Sequence, residues 1–246
     1  MKTERLDKVL CALGAGTRSQ VREMIRRGRV TVNGQCVLDS ALHIDPQADT
    51  VHLDGRQLEK PGRHVLMLYK PEGILTAARD AHQRTVLDLL DPLYRSQDCM
   101  PAGRLDKATS GLLILTNDGE LAHRLISPRH GVGKVYEAQL DGTLKEADIE
   151  AFQAGLSIQD ADGSFEARPA QVRVLEENEQ GSRVRVLVRE GKYHQVRRMF
   201  ASRGLTVLTL HRLAIGALRL PEGMEKGEYR ELTCEEEECL WQEASL

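Results

Sequence analysis

Leu6, Val9, Leu10 and Leu13 recur at the i, i+3, i+4, i+7 spacing of an amphipathic helix, which Gly14 and Gly16 stop. Thr17 with Gln20 forms a capping box opening a second helix, with Val21, Met24 and Ile25 on one face and Gly28 at its end. Val30 and Val32 then alternate into Asn33-Gly34, the strongest two-residue hairpin signal. From Asp54-Gly55 to Pro61-Gly62-Arg63 the chain has turn chemistry and little apolar content. A linker is therefore expected at 56–63, between a unit of residues 1–58 and one of 64–246. Beyond it, Val65 to Tyr69 reads as a short buried strand ended by Lys70-Pro71-Glu72-Gly73. Gly111 is expected to precede a strand from Leu112 to Thr116, with Asn117-Asp118-Gly119 as a tight turn. Thr143 and Glu146 read as the capping box of a helix running to Ala154.

Composition adds little to this outline. The 246 residues suffice for two unequal domains, and 41% apolar with 29% charged is ordinary globular usage. No apolar run approaches the roughly 18 residues of a spanning helix, so a soluble, cytoplasmic protein without membrane contact is expected. Five scattered cysteines lack a His or second Cys pair at zinc spacing, and reduced thiols with no metal are the expectation. Charge is more informative. Residues 1–29 hold eight Lys/Arg against three acids, and residues 181–212 hold eight against Glu190 alone. Two basic islands in a chain of net charge −3 suggest local contact with a polyanion.

Arg18, Arg22 and Arg26 recur every four residues on the second helix, and Arg27 and Arg29 extend the stripe. Such a stripe suits a phosphate backbone, though alone it reads more readily as a solvated face. In the second unit, Asp106 lies in the segment GRLDKATSGLLILTNDG, between Gly103 and Gly111, where the glycines leave a ligand room beside the carboxylate. Taken by itself, Arg104-Leu105-Asp106 reads more readily as a loop salt bridge or turn cap than as a catalytic group. No partner carboxylate, Ser/His pairing or phosphate loop accompanies it, so Asp106 would work as a single nucleophile or base.

The segment GRLDKATSGLLILTNDG resembles the signature of the pseudouridine synthases, in the RsuA branch. Lys70-Pro71-Glu72-Gly73, Lys134-Val135-Tyr136, Glu190 to Phe200 and His211 to Gly216 resemble the other landmarks in order. Residues 3–50 are similar to the small RNA-binding domain of a primary-binding small-subunit ribosomal protein, the alpha-L motif.

The resemblance implies an α+β fold: a helical-hairpin RNA-binding domain, a linker, and a catalytic domain around a mostly antiparallel mixed sheet. It implies Asp106 as the essential carboxylate, Tyr136 against the extruded base, Arg197 paired with Asp106, and Arg104 on the opened helix or its phosphates. RNA contacts are assigned to Arg5, Lys8, Arg18, Arg22, Arg26 and Arg29 at one end, and to Lys192, His194 and Arg198 at the other. Without the resemblance, Tyr136 reads as an ordinary strand aromatic and Arg197 as a helix-surface arginine.

No cofactor is implied, because the isomerisation is redox-neutral. Tyr193 to Phe200 and Ser127-Pro128-Arg129-His130 look most like the 16S rRNA enzymes, with a uridine of the 516 type as target. The expected partner is 16S rRNA or a partly assembled small subunit, met by a monomer. A large-subunit enzyme of the same branch and a non-catalytic assembly factor are the alternatives.

Overall fold

The computed structural model describes residues 3–46, 48–58, 62–179 and 181–245. Lys2 of the first basic island and residues 59–61 of the expected linker lie outside them. The chain divides into two compact units, Met1–Arg63 with Ser96–Asp98, and His64–Arg95 with Cys99–Leu246.

In the first unit, β1 (Glu4–Arg5) leads into α1 (Leu6–Ala12) and α2 (Arg18–Arg26). The Thr17 side chain accepts from Gln20 N, and the Gln20 side chain accepts from Thr17 N, closing the expected box. β2 (Val30–Val32) and β3 (Gln35–Cys36) form the hairpin, turned by Asn33 and Gly34 at φ 51° and 79°. β4 (His43–Ile44) pairs with β1, and β5 (Val51–Leu53) and β6 (Arg56–Gln57) extend the hairpin sheet. Leu6, Leu10, Val21, Ile25 and Val30 fill the small core, so the apolar spacing read from the sequence is the buried face.

The second unit is built on a mixed sheet. Its strands are β7 (Val65–Lys70), β8 (Met100–Pro101), β9 (Thr109–Thr116), β10 (Lys134–Leu140), β13 (Gln171–Asn178), β14 (Gly181–Val188), β15 (Val207–Ile215), β16 (Leu218–Arg219) and β17 (Tyr229–Glu231). The order is β13-β14-β10-β15-β9-β7-β17, with β8 on β9 and β16 on β15. β11 (Leu156–Asp160) and β12 (Gly163–Ala167) form a separate hairpin. Among the described residues every pair in this sheet is antiparallel except β9 with β15, which matches the mostly antiparallel mixed sheet expected.

Helices α3 (Pro92–Ser96), α4 (Gly119–Ile126), α5 (Glu146–Ala154), α6 (Gln195–Ala201) and α7 (Cys234–Glu243) complete the unit. Phe152 of α5 meets Phe200 of α6 at 4.8 Å over Val184 and Val186. Leu121 and Leu125 of α4 and Leu240 of α7 share a core with Leu112 and Ile114. Leu113 and Leu115 face a further core with Leu66 and Leu68, so β9 is buried along its whole length.

Three local expectations are corrected. Gly111 lies inside β9, where a Cβ would stand 2.3 Å from Arg212 O on the parallel neighbour. Only glycine allows that approach. Asn117-Asp118-Gly119 opens α4 instead of making an isolated turn, because the Asp118 carboxylate accepts from Glu120 N and Leu121 N. The helix expected from Thr143 begins at Glu146, with Asp148 accepting from Lys145 N.

Candidate active site

Asp106 sits on the loop between β8 and β9, and the loop backbone is tied down on several sides. Thr76 Oγ1 donates to Leu105 O at 2.8 Å and accepts from Leu105 N at 3.3 Å. Gly73 N donates to Lys107 O, and Thr109 N to Asp106 O. Beneath the loop lies Lys70, whose side chain is fully buried at the end of β7. Its Nζ reaches Thr109 O at 2.9 Å, Pro71 O at 3.0 Å, Asp106 O at 3.2 Å and Lys107 O at 3.5 Å. Burial pushes this ammonium down to about 8, against the smaller opposing pull of Glu72 and Asp106. The loop is fixed through its carbonyls, and the Asp106 carboxylate is left for other work.

That carboxylate, about one-third exposed, has one ionic neighbour among the described residues: His194 Nε2 at 3.5 Å from Oδ1. His194 holds the left-handed conformation (φ 49°) at the start of α6. The turn before it is braced by buried Glu190, which accepts from Gln195 Nε2 at 2.7 Å and from Arg168 N at 2.9 Å. Tyr193, 60% exposed, stacks on the His194 ring at 3.8 Å between centroids.

Asp106, Tyr136, Arg104, Lys192 and His194 line one cleft of about 560 Å³, within the range for small-ligand sites. A smaller pocket of about 70 Å³ adjoins it and also takes in Arg197 and Thr109. On β10, Tyr136 faces the cleft, its hydroxyl accepting from Arg212 Nη1 at 3.3 Å. Lys134, two residues away, is buried with Nζ on Leu125 O at 3.0 Å, and burial followed by Arg212 lowers it to about 8.

Two expectations change here. Arg197 lines the pocket but makes no ion pair with Asp106. Its Nη1 donates to Val207 O at 2.7 Å and its Nη2 to Ala108 O at 3.4 Å, so it ties α6 to β15 and to the Asp106 loop. Arg198, expected on RNA, is buried on the far side of α6. It grips Asp160 through two 2.8 Å bonds, donates to Gly163 O, and lies over the Phe165 ring. A guanidinium so engaged holds the β11–β12 hairpin.

Lys192 stays at the rim over Phe165, donating to Glu166 O and 3.6 Å from Glu190. Arg104 is exposed beside Asp106. Sequence reasoning assigned no role to Lys70, Thr76, Lys134, Tyr193 or Arg212. The signal for Lys70 was a lysine closing an apolar strand run. No group of three or more His, Cys, Asp or Glu side chains is placed to hold a metal ion among the described residues.

In the first unit, Arg18, Arg22 and Arg26 share an exposed face of α2, as their spacing predicts. Most of the expected RNA-binding cations there carry acidic partners: Arg5 and Arg22 on buried Asp7, Lys8 on Glu4, Arg26 on Glu23, and Arg29 on Asp54. The Arg5 hydrogen bond, opposed by burial, holds the Asp7 carboxyl down to about 2. The Lys8, Arg26 and Arg29 pairs are exposed and of a kind that is weak. Arg26 and Arg29 keep donors for phosphate, whereas Arg5 and Arg22 also serve a buried carboxylate.

Known proteins resemble this chain over nearly all of its length. Ribosomal small subunit pseudouridine synthase A of Vibrio cholerae is 38% identical over 96% of this chain and 99% of its own. Ribosomal large subunit pseudouridine synthase B of Bacillus subtilis is 34% identical over 94% and 92%. A crystal structure of a pseudouridylate synthase superposes with a TM-score of 0.67 at 35% identity, covering 96% of this chain and 99% of that one. Residues 4–51 match the S4 domain and residues 64–202 the RNA pseudouridylate synthase family. The chain is therefore an S4-domain member of the RNA pseudouridylate synthase family.

Proposed function

We propose that this protein converts one uridine of 16S ribosomal RNA, of the 516 type, to pseudouridine in the cytoplasm, with Asp106 as the reacting carboxylate. The observation that carries the reading is the Asp106 loop. Its backbone is clamped by Lys70, Thr76 and Arg197, while the carboxylate points into a cleft large enough for a nucleoside. Positioning of this kind is what a unimolecular rearrangement needs. The target base must leave the helix stack, which costs a few kcal/mol. Stacking on Tyr136 and contacts from Arg104, Lys192 and His194 would offset that cost. The first unit, residues 1–58, would grip flanking RNA through the α2 arginine face.

The isomerisation moves a bond from N1 to C5 of the ring and returns every electron, so it consumes no cofactor. Small-subunit specificity is supported by the name of the Vibrio cholerae relative and by Tyr193-His194 ahead of Gln195. A pseudouridine map of ribosomal RNA from cells with and without this protein tests the reading. One 16S uridine should revert to unmodified in its absence. Loss at a 23S position instead would move the substrate to the large subunit. An unchanged map of both RNAs would refute the activity.

A further inference from the structure

Arg212 occupies the middle of β15, between β9 and β10, and is 4% exposed. Its Nε donates to Leu112 O at 2.7 Å and its Nη1 to the Tyr136 hydroxyl at 3.3 Å. Its Nη2 is buried with no hydrogen-bond partner. Both partners it has are neutral, and no carboxylate pairs with it among the described residues. Lys134 is a second buried cation beside it, also on a carbonyl, and both line the cleft that holds Asp106. Buried cations are normally paired, because desolvating an unbalanced charge is costly. An orphaned buried donor is likewise rare in a native fold. Neither observation has an explanation within the fold, since the sheet hydrogen bonds around Arg212 need only its backbone.

We propose that Arg212 is a catalytic residue that holds the detached uracil ring through a carbonyl oxygen and stabilises the negative charge the ring acquires. The inference rests on the isomerisation proposed above. When the C1′–N1 bond breaks, both electrons leave with the ring and spread over N1, O2 and O4. This is so whether Asp106 bonds to C1′ or removes a ribose proton. Arg212 donates a hydrogen bond from Nη2–H to one of the oxygens and transfers no proton. A half-turn of the ring about its N3···C6 axis exchanges N1 with C5 and also O2 with O4. One fixed donor therefore meets a carbonyl oxygen both before and after the turn. C5 then supplies the electron pair of the new bond to C1′, as the Asp106–C1′ bond breaks or, on the ribose-deprotonation route, as Asp106 returns its proton to C2′. The C5 proton leaves to a base. Lys134 adds positive potential at the same wall without having to touch the ring.

The test uses the full chain and a 16S-derived RNA carrying uridine, 2-thiouridine or 4-thiouridine at the target. Sulfur is a poorer acceptor than oxygen, so each substitution weakens one carbonyl contact. Arg212→Gln should slow single-turnover product formation about 100- to 1,000-fold, the range for losing a donor to a developing oxyanion. RNA affinity should stay within about threefold, and Arg212→Lys should recover part of the rate. At least one thio substitution should slow the wild type yet add nothing further in Arg212→Gln, the non-additivity of groups in contact. Strictly additive effects, or a Gln variant near the wild-type rate, would overturn the proposal. Were Arg212→Gln not to fold, wild-type rates on both thio substrates equal to that on uridine would overturn it alone. A wild-type chain that makes no pseudouridine from the uridine substrate would overturn the underlying reaction and this role together.

Discussion

Lys70→Met removes the ammonium under the Asp106 loop while keeping an apolar stem of similar length. Three N–H groups serve four carbonyls, of which Thr109 O, Pro71 O and Asp106 O are the nearest. Hydrogen bonds to a charged group contribute about 1.5–3 kcal/mol each, so three give roughly 4–9 kcal/mol in gross terms. Against this stands the burial of the charge, which costs several kcal/mol and is visible in the lowering of its pKa to about 8. Asp106 O and Lys107 O also keep backbone donors, Thr109 N and Gly73 N. The net loss of stability should therefore be modest, about 1–3 kcal/mol by urea unfolding.

Activity should suffer more. The loop loses the anchor that fixes where Asp106 stands, and a misplacement of about 1 Å costs on the order of 100-fold in rate. The assay is single-turnover pseudouridine formation at saturating protein, below the unfolding transition, with RNA affinity measured alongside. Thr76→Val, which removes only the two bonds to Leu105, should give a smaller loss in the same direction. A folded Lys70→Met protein with a rate within about threefold of wild type would refute the claim that this clamp positions the carboxylate.

Four further outcomes follow from named contacts. Lys70 and Lys134 both titrate near 8 when folded against 10.5 otherwise, so the unfolded chain binds more protons between those values. Stability should rise with pH across that window, and less steeply in Lys134→Met; equal slopes by urea unfolding would refute the assignment. Tyr136→Leu should lose about 1–3 kcal/mol of base stacking. Tyr136→Phe should bind RNA normally but slow C5 deprotonation roughly 100-fold, with an isotope effect from deuterium at C5; kinetics like wild type would leave only stacking. Gly111→Ala should cost more than about 3 kcal/mol, because its Cβ would stand 2.3 Å from Arg212 O at φ +115°, whereas Gly119→Ala meets open space and should be tolerated.

How much of this was legible depends on the range of each interaction. The Thr17–Gln20 box, the Asn33-Gly34 turn and the α2 arginine face are set by residues within one turn of each other, and spacing alone reveals them. The α4 start was legible too: Asp118 ahead of Leu121 and Leu125 is an N-cap before a periodic run, overlooked because Asn-Asp-Gly also suits a tight turn. Long-range features were not. Lys70 finds Asp106 O across 36 residues, and Arg212 finds Leu112 O across 100. In sequence both are simply cations in or beside strands. Arg197 and Arg198 illustrate the same limit. Adjacent on α6, one turns to the Asp106 loop and the other to Asp160, and which side each takes is decided by packing. Gly111 looked like a strand boundary because the parallel partner that demands it lies about a hundred residues on.

The most direct test of the central claim is Asp106→Asn assayed on 16S RNA in single turnover beside the wild type. The substitution keeps size and the clamped backbone, since the loop is held through carbonyls and Thr76, and it removes the charge and the nucleophile. Pseudouridine formation should fall by at least about 1,000-fold, because the variant lacks both the charge and the nucleophilic oxygen. RNA affinity and thermal stability should stay close to wild type. Turnover by the pure Asp106→Asn protein within about tenfold of wild type would contradict the account.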